Sequence, residues 1–358
     1  MELGVSVTVG VDTHADAHVG VALDHLGRRL GEVVVPNEVT GYRSMLEWAL
    51  NLGELSCVGV EGTGSFGAGL SRFLRSWGVR VVEVNRTSRQ HRRRHGKYNA
   101  ADAEAAARAV LSGDATGEPK AGDGQVEMLR ALKVARRSAV KARTQAANQL
   151  HALVMTAPEQ LRADLRGLPA KKLVQKASRF RCGPELADPT AATKFALRSV
   201  ARRYRQLSEE VSGLEEQIER LVKEASPELV ALEGVGPDTA ATLMIVAGDN
   251  PKRLRSEAAF ANLCGAAPIE ASSGKTVRHR LNPHGNREAN RALYMVALNR
   301  MRRDLQTQTY VARRTTEGKS KREIIRCLKR YIAREVYRAL IVTRPEIIPG
   351  EEDLASYA

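Results

Sequence analysis

The first 38 residues most constrain the fold, because apolar side chains alternate along them in three successive runs. The runs VSVTVGVD, HVGVALD and RLGEVVVPN predict three strands joined by short turns. A helix over 40–52, a strand over 56–62, a helix over 65–78 and a strand over 79–85 are predicted to follow. Three hairpin-connected strands followed by alternating helices and strands predict an α/β domain with a mixed sheet.

The pattern changes to helical seams from about residue 124. Apolar and small residues recur at alternating steps of three and four from Met128 to Leu153, and again from Leu207 to Leu221. This spacing fits an antiparallel helical hairpin, an intermolecular coiled coil or two ordinary amphipathic helices. The predicted organisation is an N-terminal α/β domain (1–118), a helical or coiled-coil linker (119–228), a mainly helical C-terminal domain (229–345) and an acidic tail (346–358).

The charge balance favours a polyanionic partner. Lysine and arginine total 56 against 41 aspartates and glutamates, a net charge of +15. Such an excess favours nucleic acid because Lys and Arg displace counterions from phosphates, although solubility alone also explains a basic chain. Aromatic residues make up only 4% of the chain, so stacking on bases is not expected to dominate the contact.

Cysteine spacing and hydropathy exclude other classes of protein. The four cysteines, Cys57, Cys182, Cys264 and Cys327, form no CxxC motif, so neither a disulfide framework nor a zinc site is predicted. The N-terminus lacks a signal-peptide pattern, and no uninterrupted apolar run reaches the roughly 18 residues of a membrane helix. We therefore expect a cytoplasmic protein with no membrane partner.

Three acids stand at the ends of predicted elements in the N-terminal domain. Asp12 ends the first strand, Glu61 ends the fourth, and Asp102 lies near the start of an alanine-rich helix over 99–113. Carboxylates that converge at one edge of a sheet repel one another unless a divalent cation neutralises them. Oxygen ligands favour Mg²⁺ or Mn²⁺, which can stabilise both oxygens of a phosphodiester displacement. The order predicts a ribonuclease-H-like metal site, whereas each acid alone is also compatible with a solvated strand end.

A Gly-rich stretch in the C-terminal half suits phosphate binding. The sequence GVGPDTA, 234–240, is similar to a helix-hairpin-helix turn. Gly234 and Gly236 would let the backbone approach phosphate at the start of the next helix. A plain Gly-Pro helix connection explains the same residues equally well.

A second stretch, 270–291, combines hydroxyls with basic residues. Ser272 and Ser273 precede Gly274, and the cationic residues that follow include Lys275, Arg278, Arg280 and Arg287. A serine is a weak nucleophile unless it is activated and aimed, and cations can hold a phosphate beside it. The residues by themselves favour a Ser-Gly turn on a phosphate-binding loop over a nucleophilic serine.

These motifs, taken together, resemble one family. The sequences GVDTHAD, VEGTGSFG, KYNAADAEAAA, LEGVGPDTAATL and GAAPIEASSGKTVRHRLNPHGNREANRAL occur in the order and spacing of DEDD-type transposases of bacterial insertion sequences. The chain is similar to the insertion sequence 110 family of bridge-RNA-guided recombinases, whose relatives include the Piv-type DNA invertases. The resemblance implies a RuvC-like catalytic domain and DNA transposition or site-specific recombination.

The resemblance also implies roles for particular residues. Asp12, Glu61 and Asp102 match catalytic, Mg²⁺-binding acids, and Asn99 stands where the family has a further acid. An amide can still offer one oxygen to a metal, but it removes a charge and weakens the site. In the family the serine just before the glycine that matches Gly274 attacks DNA, which implies Ser273 as nucleophile, with Ser272 as the second choice.

Partners follow from the same resemblance. Double-stranded DNA and a non-coding bridge RNA are implied, with a homo-oligomer, a dimer or tetramer, sharing the two halves of the site. The basic stretch 86–97 would contribute phosphate contacts from Arg92, Arg93, Arg94 and Lys97. Two alternatives remain open. The first is a metal-dependent RuvC-like junction nuclease, which needs no serine. The second is a nucleic-acid-binding protein with weak catalytic activity, in which Asn99 marks the loss of an acid.

Overall fold

The N-terminal part of the molecule is a five-stranded sheet with helices on both faces. The computed structural model describes residues 5–84, 99–183, 186, 188–274, 279–280, 282–283 and 285–342. The strands are β1 (Ser6–Thr13), β2 (Ala17–Asp24), β3 (Arg29–Pro36), β4 (Glu54–Glu61) and β5 (Val81–Val84). The helices between and after them are α1 (Val39–Leu52), α2 (Ala68–Ser76) and α3 (Asn99–Leu111).

The sheet is mixed, as predicted. Its strand order is β3-β2-β1-β4-β5. Strands β1, β2 and β3 pair antiparallel, whereas β1 with β4 and β4 with β5 pair parallel. Short turns permit the antiparallel pairs, and the parallel pairs require the helical crossovers α1 and α2. The N-terminal domain therefore agrees with a ribonuclease-H-like architecture.

Both faces of the central strands are buried, which explains their nearly continuous apolar sequence. One face packs on α1 and α2, where Val9 and Val11 of β1 meet Met45 and Leu70. The opposite face packs on α3, where the β2 residues Val19, Val21 and Leu23 meet Ala100, Ala103 and Ala107. Small alanines on α3 let that helix lie close to the sheet.

The closest approach of α3 is at two glycines that face each other on neighbouring strands. Gly10 of β1 is in register with Gly59 of β4. A Cβ atom at Gly10 would lie 2.1 Å from the carbonyl oxygen of Ala103. A Cβ atom at Gly59 would lie 2.7 Å from Val110 Cγ2. Any larger residue at either position would push the helix away from the strands.

The remainder of the described chain is mostly helical. Its helices are α4 (Gln125–Met155), α5 (Glu159–Leu165), α6 (Ala170–Ser178), α7 (Pro189–Ala225), α8 (Pro227–Ala231), α9 (Pro237–Ala247), α10 (Glu257–Leu263), α11 (Arg287–Arg303), α12 (Leu305–Thr316) and α13 (Lys321–Val342). A two-stranded hairpin, β6 (Ile269–Glu270) with β7 (His279–Arg280), interrupts them. Among the described residues, no helix is long and apolar enough to cross a membrane.

Helices α4 and α7 form the antiparallel pair that was one of the predicted alternatives. Arg136 pairs with Glu215 near one end, and Arg203 donates to Gln149 further along. The α7 seam from Leu207 to Leu221 is largely as predicted, with Val211, Ile218 and Leu221 buried. The predicted start of the α4 seam is wrong, since Met128 is exposed and Leu129 is fully buried instead. Spacing by three and four residues is compatible with either Met128 or Leu129 in the seam. Which of the two is buried depends on the residues that pack against α4.

The compact units of the chain are interleaved along the sequence. One unit comprises 1–127 and 246–286, and the other comprises 128–245 and 287–358. The segment that carries the two serines thus folds with the carboxylate-bearing sheet, although it lies far away in the sequence. The domain boundaries at 118, 228 and 345 rest on the sequence alone and stay a prediction. The predicted acidic tail, 346–358, lies outside the described residues.

We predict that Gly10→Ala lowers the free energy of unfolding by about 1–3 kcal/mol, because the new methyl group meets rigid backbone. Gly213→Ala is the matched control, since that glycine lies inside α7 with open space where a Cβ would be. The control should raise stability by roughly 0.5–1 kcal/mol, because alanine favours helix. Urea unfolding measures both, and equal effects in the two variants would contradict the close approach of α3.

Candidate functional site

Two carboxylates lie side by side at one edge of the sheet. The parallel pairing of β1 with β4 runs through Gly10 with Gly59 and Val11 with Val60, so Asp12 and Glu61 come next on adjacent strands. Adjacent strands are about 4.8 Å apart, and alternate residues share a face. Both acids therefore point to the face that α3 covers, and each is only 8% exposed. Two buried acids this close favour a cation or a shared proton.

The third predicted acid lies on the helix that packs against these strands. Asp102 is in the first turn of α3 and is partly buried, immediately before Ala103, whose carbonyl oxygen approaches Gly10. Asn99 begins the same helix and is exposed. Glu104 points elsewhere, since it pairs with Arg108 one turn on, with Arg108 Nη2 2.7 Å from its Oε1. The close approach of α3 thus brings Asp102 towards the strand ends, with Asn99 further out.

The acids fit a divalent cation by the chemistry of their donors. Carboxylate oxygens on two paired strands, with a third carboxylate on the covering helix, are the ligand type that Mg²⁺ and Mn²⁺ prefer. Among the described residues, however, no group of three or more His, Cys, Asp or Glu side chains is already gathered as a metal-binding cluster. The sheet edge therefore supplies two adjacent donors, and Asp102 would have to join them.

Thr13 and His14 contact the strand ends that carry the acids, although the sequence predicted no role for either residue. Thr13 Oγ1 donates to the carbonyl oxygen of Glu61 at 3.0 Å and so ties the two strand ends together. His14 Nε2 lies 3.0 Å from Asp12 Oδ2. The signal for both was their position directly after Asp12 in GVDTHAD. A hydrogen bond from His14 would fix the orientation of the Asp12 carboxylate.

A buried histidine on β2 lies beside this edge. His18 is in register with Thr13, is fully buried, and stacks on the Tyr42 ring with centroids 5.8 Å apart. Burial lowers the pKa of His18 below its usual value, which favours the neutral ring. The histidine therefore adds apolar packing rather than positive charge next to Asp12.

Both serines lie between the two strands of the β6–β7 hairpin, shortly after β6. Ile269 pairs with Arg280 and Glu270 with His279, so Ser272 and Ser273 lie in the connecting loop, and both are exposed. Gly274 has a φ of +57°, a left-handed conformation that explains glycine at this turn. Exposure does not discriminate between the two hydroxyls.

Asparagines after β7 fasten this hairpin to the end of α10. The Asn282 side chain is 5% exposed, and its Nδ2 donates to Asn262 Oδ1 at 2.6 Å. The Asn286 amide donates to the carbonyl oxygen of Leu263 at 2.6 Å. Asn282 and Asn286 therefore hold the base of the loop that carries the serines.

A polar clasp joins the serine-bearing segment to the segment before α4. Asp249 Oδ1 accepts from the amide of Val126 at 2.8 Å and so caps α4 from a distant part of the chain. Asn250 accepts from the Ala121 amide at 3.0 Å and donates to Glu118 Oε1 at 2.8 Å. Arg253 donates to the carbonyl oxygens of Val246, Ala247 and Glu118. No sequence motif marks these residues, because their bonds to 118–126 join positions more than a hundred residues apart.

The predicted phosphate-binding residues have different positions. Arg280 is exposed on β7, and Arg287 is exposed at the start of α11. Gly234 and Gly236 lie between α8 and α9, where Gly234 has a φ of +77°. Six of the predicted residues lie outside the described part of the chain: Arg92, Arg93, Arg94, Lys97, Lys275 and Arg278.

A cleft of about 360 Å³ opens at the turn between α8 and α9. Its lining includes Glu233, Gly234, Gly236, Asn299 and Arg303. The Arg300 Nε donates to the Glu233 carbonyl at 2.8 Å and holds the turn against α11. This arrangement has both the exposed backbone and the cation that a phosphate contact needs.

Two family models match this combination of sequence and fold. A model described as "Transposase" matches residues 9–157, and a model described as "Transposase IS116/IS110/IS902 family" matches residues 226–312. The chain belongs to this transposase family. The first match contains nearly all of the sheet and all the predicted acids, and the second contains the helix-hairpin-helix-like turn and both serines.

A relative from Streptomyces coelicolor supports this assignment. It is named "Insertion element IS110 uncharacterized 43.6 kDa protein" and is 32% identical over 134 residues. The match covers 37% of this chain and about a third, 33%, of the relative. The name of the relative associates that protein with an insertion element, and the chain spans about a third of its length.

We predict that Asp249→Ala lowers the free energy of unfolding by about 1 kcal/mol, because α4 loses its cap. Amide hydrogen exchange should also rise across 246–286, because the clasp holds that segment. Asp188→Ala is the matched control, since Asp188 caps α7 through a local bond to the Ala191 amide at 2.8 Å. If exchange in 246–286 rises equally in both variants, the clasp does not anchor the serine segment.

Proposed function

We propose that the protein is a DNA transposase or site-specific recombinase that cuts and rejoins DNA through a Mg²⁺-dependent carboxylate site and a serine nucleophile. The observation that carries this proposal is the adjacent, buried pair Asp12 and Glu61 in the same compact unit as the exposed Ser272–Ser273 loop. Membership of the transposase family supports it. A plain nuclease would need the acids, but it would have no use for a presented serine.

The carboxylate half of the proposed site would bind the cation through Asp12, Glu61 and Asp102, with Asn99 as a weaker neighbour. A bound Mg²⁺ would supply neutralisation of these acids and polarisation of a phosphoryl oxygen. His14 would orient Asp12 through their 3.0 Å contact, and Thr13 would keep the two strand ends in register. Burial by α3 would exclude water and strengthen these electrostatic contacts.

The serine half would perform the covalent step. The Ser273 Oγ forms a bond to the scissile phosphorus, its proton passes to solvent or a nearby base, and the bond from phosphorus to the 3′ oxygen breaks. The 3′ oxygen leaves with a proton as a hydroxyl, so the phosphodiester energy is kept in the phosphoserine ester. Reversal of the same attack by another 3′ hydroxyl rejoins DNA without an external energy source.

The partners proposed are double-stranded DNA and a bridge RNA. The net charge of +15 and the cleft at Gly234, Gly236 and Arg303 support a phosphate-backbone partner. The RNA, the assembly into a dimer or tetramer and the cytoplasmic location rest on the family and the sequence. A site shared between subunits would suit this chain, because its carboxylates and its serines lie on separate structural elements.

We predict that Asp12→Asn or Glu61→Gln lowers recombination at least about 100-fold, because changes even outside the ligand set of a metal site cost 10–100-fold. DNA binding should persist, because the phosphate contacts are elsewhere. Asp16→Asn is the matched control, an equally isosteric change at an exposed acid in the β1–β2 turn. A plasmid bearing the element with its flanking DNA measures the rate, and wild-type recombination in the Asp12 or Glu61 variants would reject the carboxylate site.

We predict that Ser273→Ala abolishes the covalent protein–DNA adduct while DNA binding is unchanged, because no charge is lost. Ser272→Ala, in the same exposed loop, should retain the adduct. A nicked suicide substrate would trap the intermediate, and mass spectrometry would identify the modified peptide. An adduct on Ser272 would reassign the nucleophile, and cleaved DNA ends with no adduct in the wild type would favour a metal-dependent nuclease.

A further inference from the structure

An open cleft at the edge strand of the sheet is lined by three arginines that no motif singled out. The β5-edge cleft has a volume of about 340 Å³, and its lining includes Arg75, Arg80, Arg255, Thr116, Gly117 and Glu118. All of these residues belong to the unit that contains Asp12 and Glu61. The cleft is thus a feature of one compact unit and does not depend on how the two units are arranged.

The walls of the cleft are fixed by backbone hydrogen bonds. The amide of Glu83 on β5 donates to the Gly117 carbonyl at 2.7 Å, which places 116–118 along the edge strand. The amide of Val79 donates to the Leu74 carbonyl at 3.0 Å and holds the turn that carries Arg75 and Arg80. A ligand would therefore meet a preformed surface, at a low ordering cost.

The charge of the cleft is positive and largely uncompensated. Within the described part of the chain, Arg75, Arg80 and Arg255 form no ion pair. The carboxylate of Glu118 is held by the Asn250 side chain and also attracts Arg253. Three arginines against one occupied carboxylate favour an anion, and the guanidinium fork matches the paired oxygens of a phosphate.

The cleft lies away from the chemistry. Val81, in its lining, is in register with Val58, three residues before Glu61 on β4. At 3.3 Å per residue, Val81 is roughly 10 Å along the strands from Glu61. Gly117, on the other wall, bridges Glu83 outside β5, so it lies two strand spacings, roughly 10 Å, across the sheet from β4. A bound polyanion would therefore be anchored to the catalytic unit without occupying the proposed reaction site.

We propose that the β5-edge cleft binds the phosphodiester backbone of a nucleic acid, through Arg75, Arg80 and Arg255, as an anchoring site separate from the reaction centre. This inference deepens the proposed function and rests on it for the presence of nucleic acid. The chemistry recognised, an extended row of phosphates, is shared by the DNA substrate and by a guide RNA. Binding experiments with each nucleic acid separate these two sources.

The test compares affinity across salt concentrations for the wild type and for Arg80→Ala, Arg255→Ala and their double variant. Labelled duplex DNA and labelled single-stranded RNA are the probes, and log K is plotted against log salt from about 50 to 200 mM. Each lost contact should reduce the slope by roughly 0.9 on duplex DNA or roughly 0.7 on a single strand. A smaller slope with DNA alone identifies DNA as the ligand, and one with RNA alone identifies RNA.

Two controls make the result specific. Arg43→Ala removes an exposed arginine of α1 in the same unit, which forms no ion pair among the described residues. Arg80→Lys keeps the charge and should retain the wild-type slope, with unchanged thermal melting showing that the variants fold. If the double variant has the same slope as Arg43→Ala on both nucleic acids, the cleft does not bind phosphate.

The outcome is independent of the catalytic proposal. Asp12→Asn should keep the wild-type salt slope, because the carboxylate edge is remote from the cleft. If Asp12→Asn recombines normally while the arginine variants lose slope, the metal site fails and the anchoring site stands. If the reverse is observed, the carboxylate site stands and the cleft is not an anchor.

Discussion

The position of helix α3 against strands β1 and β4 is the constraint on which the candidate site depends. Because neither Gly10 nor Gly59 has a side chain, the helix backbone reaches the strands directly above the carboxylate edge. Asp12 and Glu61 are two residues further along the same faces, and Asp102 precedes the contact residue Ala103. A wider gap would move Asp102 away from the strand ends and expose both buried acids to water.

A second constraint joins distant parts of the chain. The clasp formed by Asp249, Asn250 and Arg253 ties the serine-bearing segment to residues just before α4. The hydroxyl loop and the carboxylate edge therefore belong to one compact unit, even though another unit lies between them in sequence. Hydrogen bonds to backbone amides and carbonyls make this junction directional, so it fixes where the segment docks as well as whether it docks.

Positively charged residues lie on separate surfaces that offer different groups to a phosphate. The turn at Gly234 offers backbone groups beside Arg303, whereas the β5-edge cleft offers three guanidinium groups on a sheet edge. Neither includes the acids, so in the proposed function binding and bond breaking would use different parts of the molecule. Such a separation lets phosphate contacts hold a substrate firmly without placing cations against the carboxylates that a metal would need.

The sequence by itself determined the mixed sheet, the helical remainder and the family, because strand and helix periodicities and motif order are local properties. It also placed Asp12 and Glu61 at strand ends, since each acid directly follows a buried run. The role of the Gly10–Gly59 pair, the clasp around Asp249 and the β5-edge cleft required the tertiary structure. Each of these joins residues that are distant along the chain. Packing also decided the seam of α4, in which Leu129 rather than Met128 is buried. Periodicity specifies which side of an element is apolar, but only packing specifies which partner that side meets.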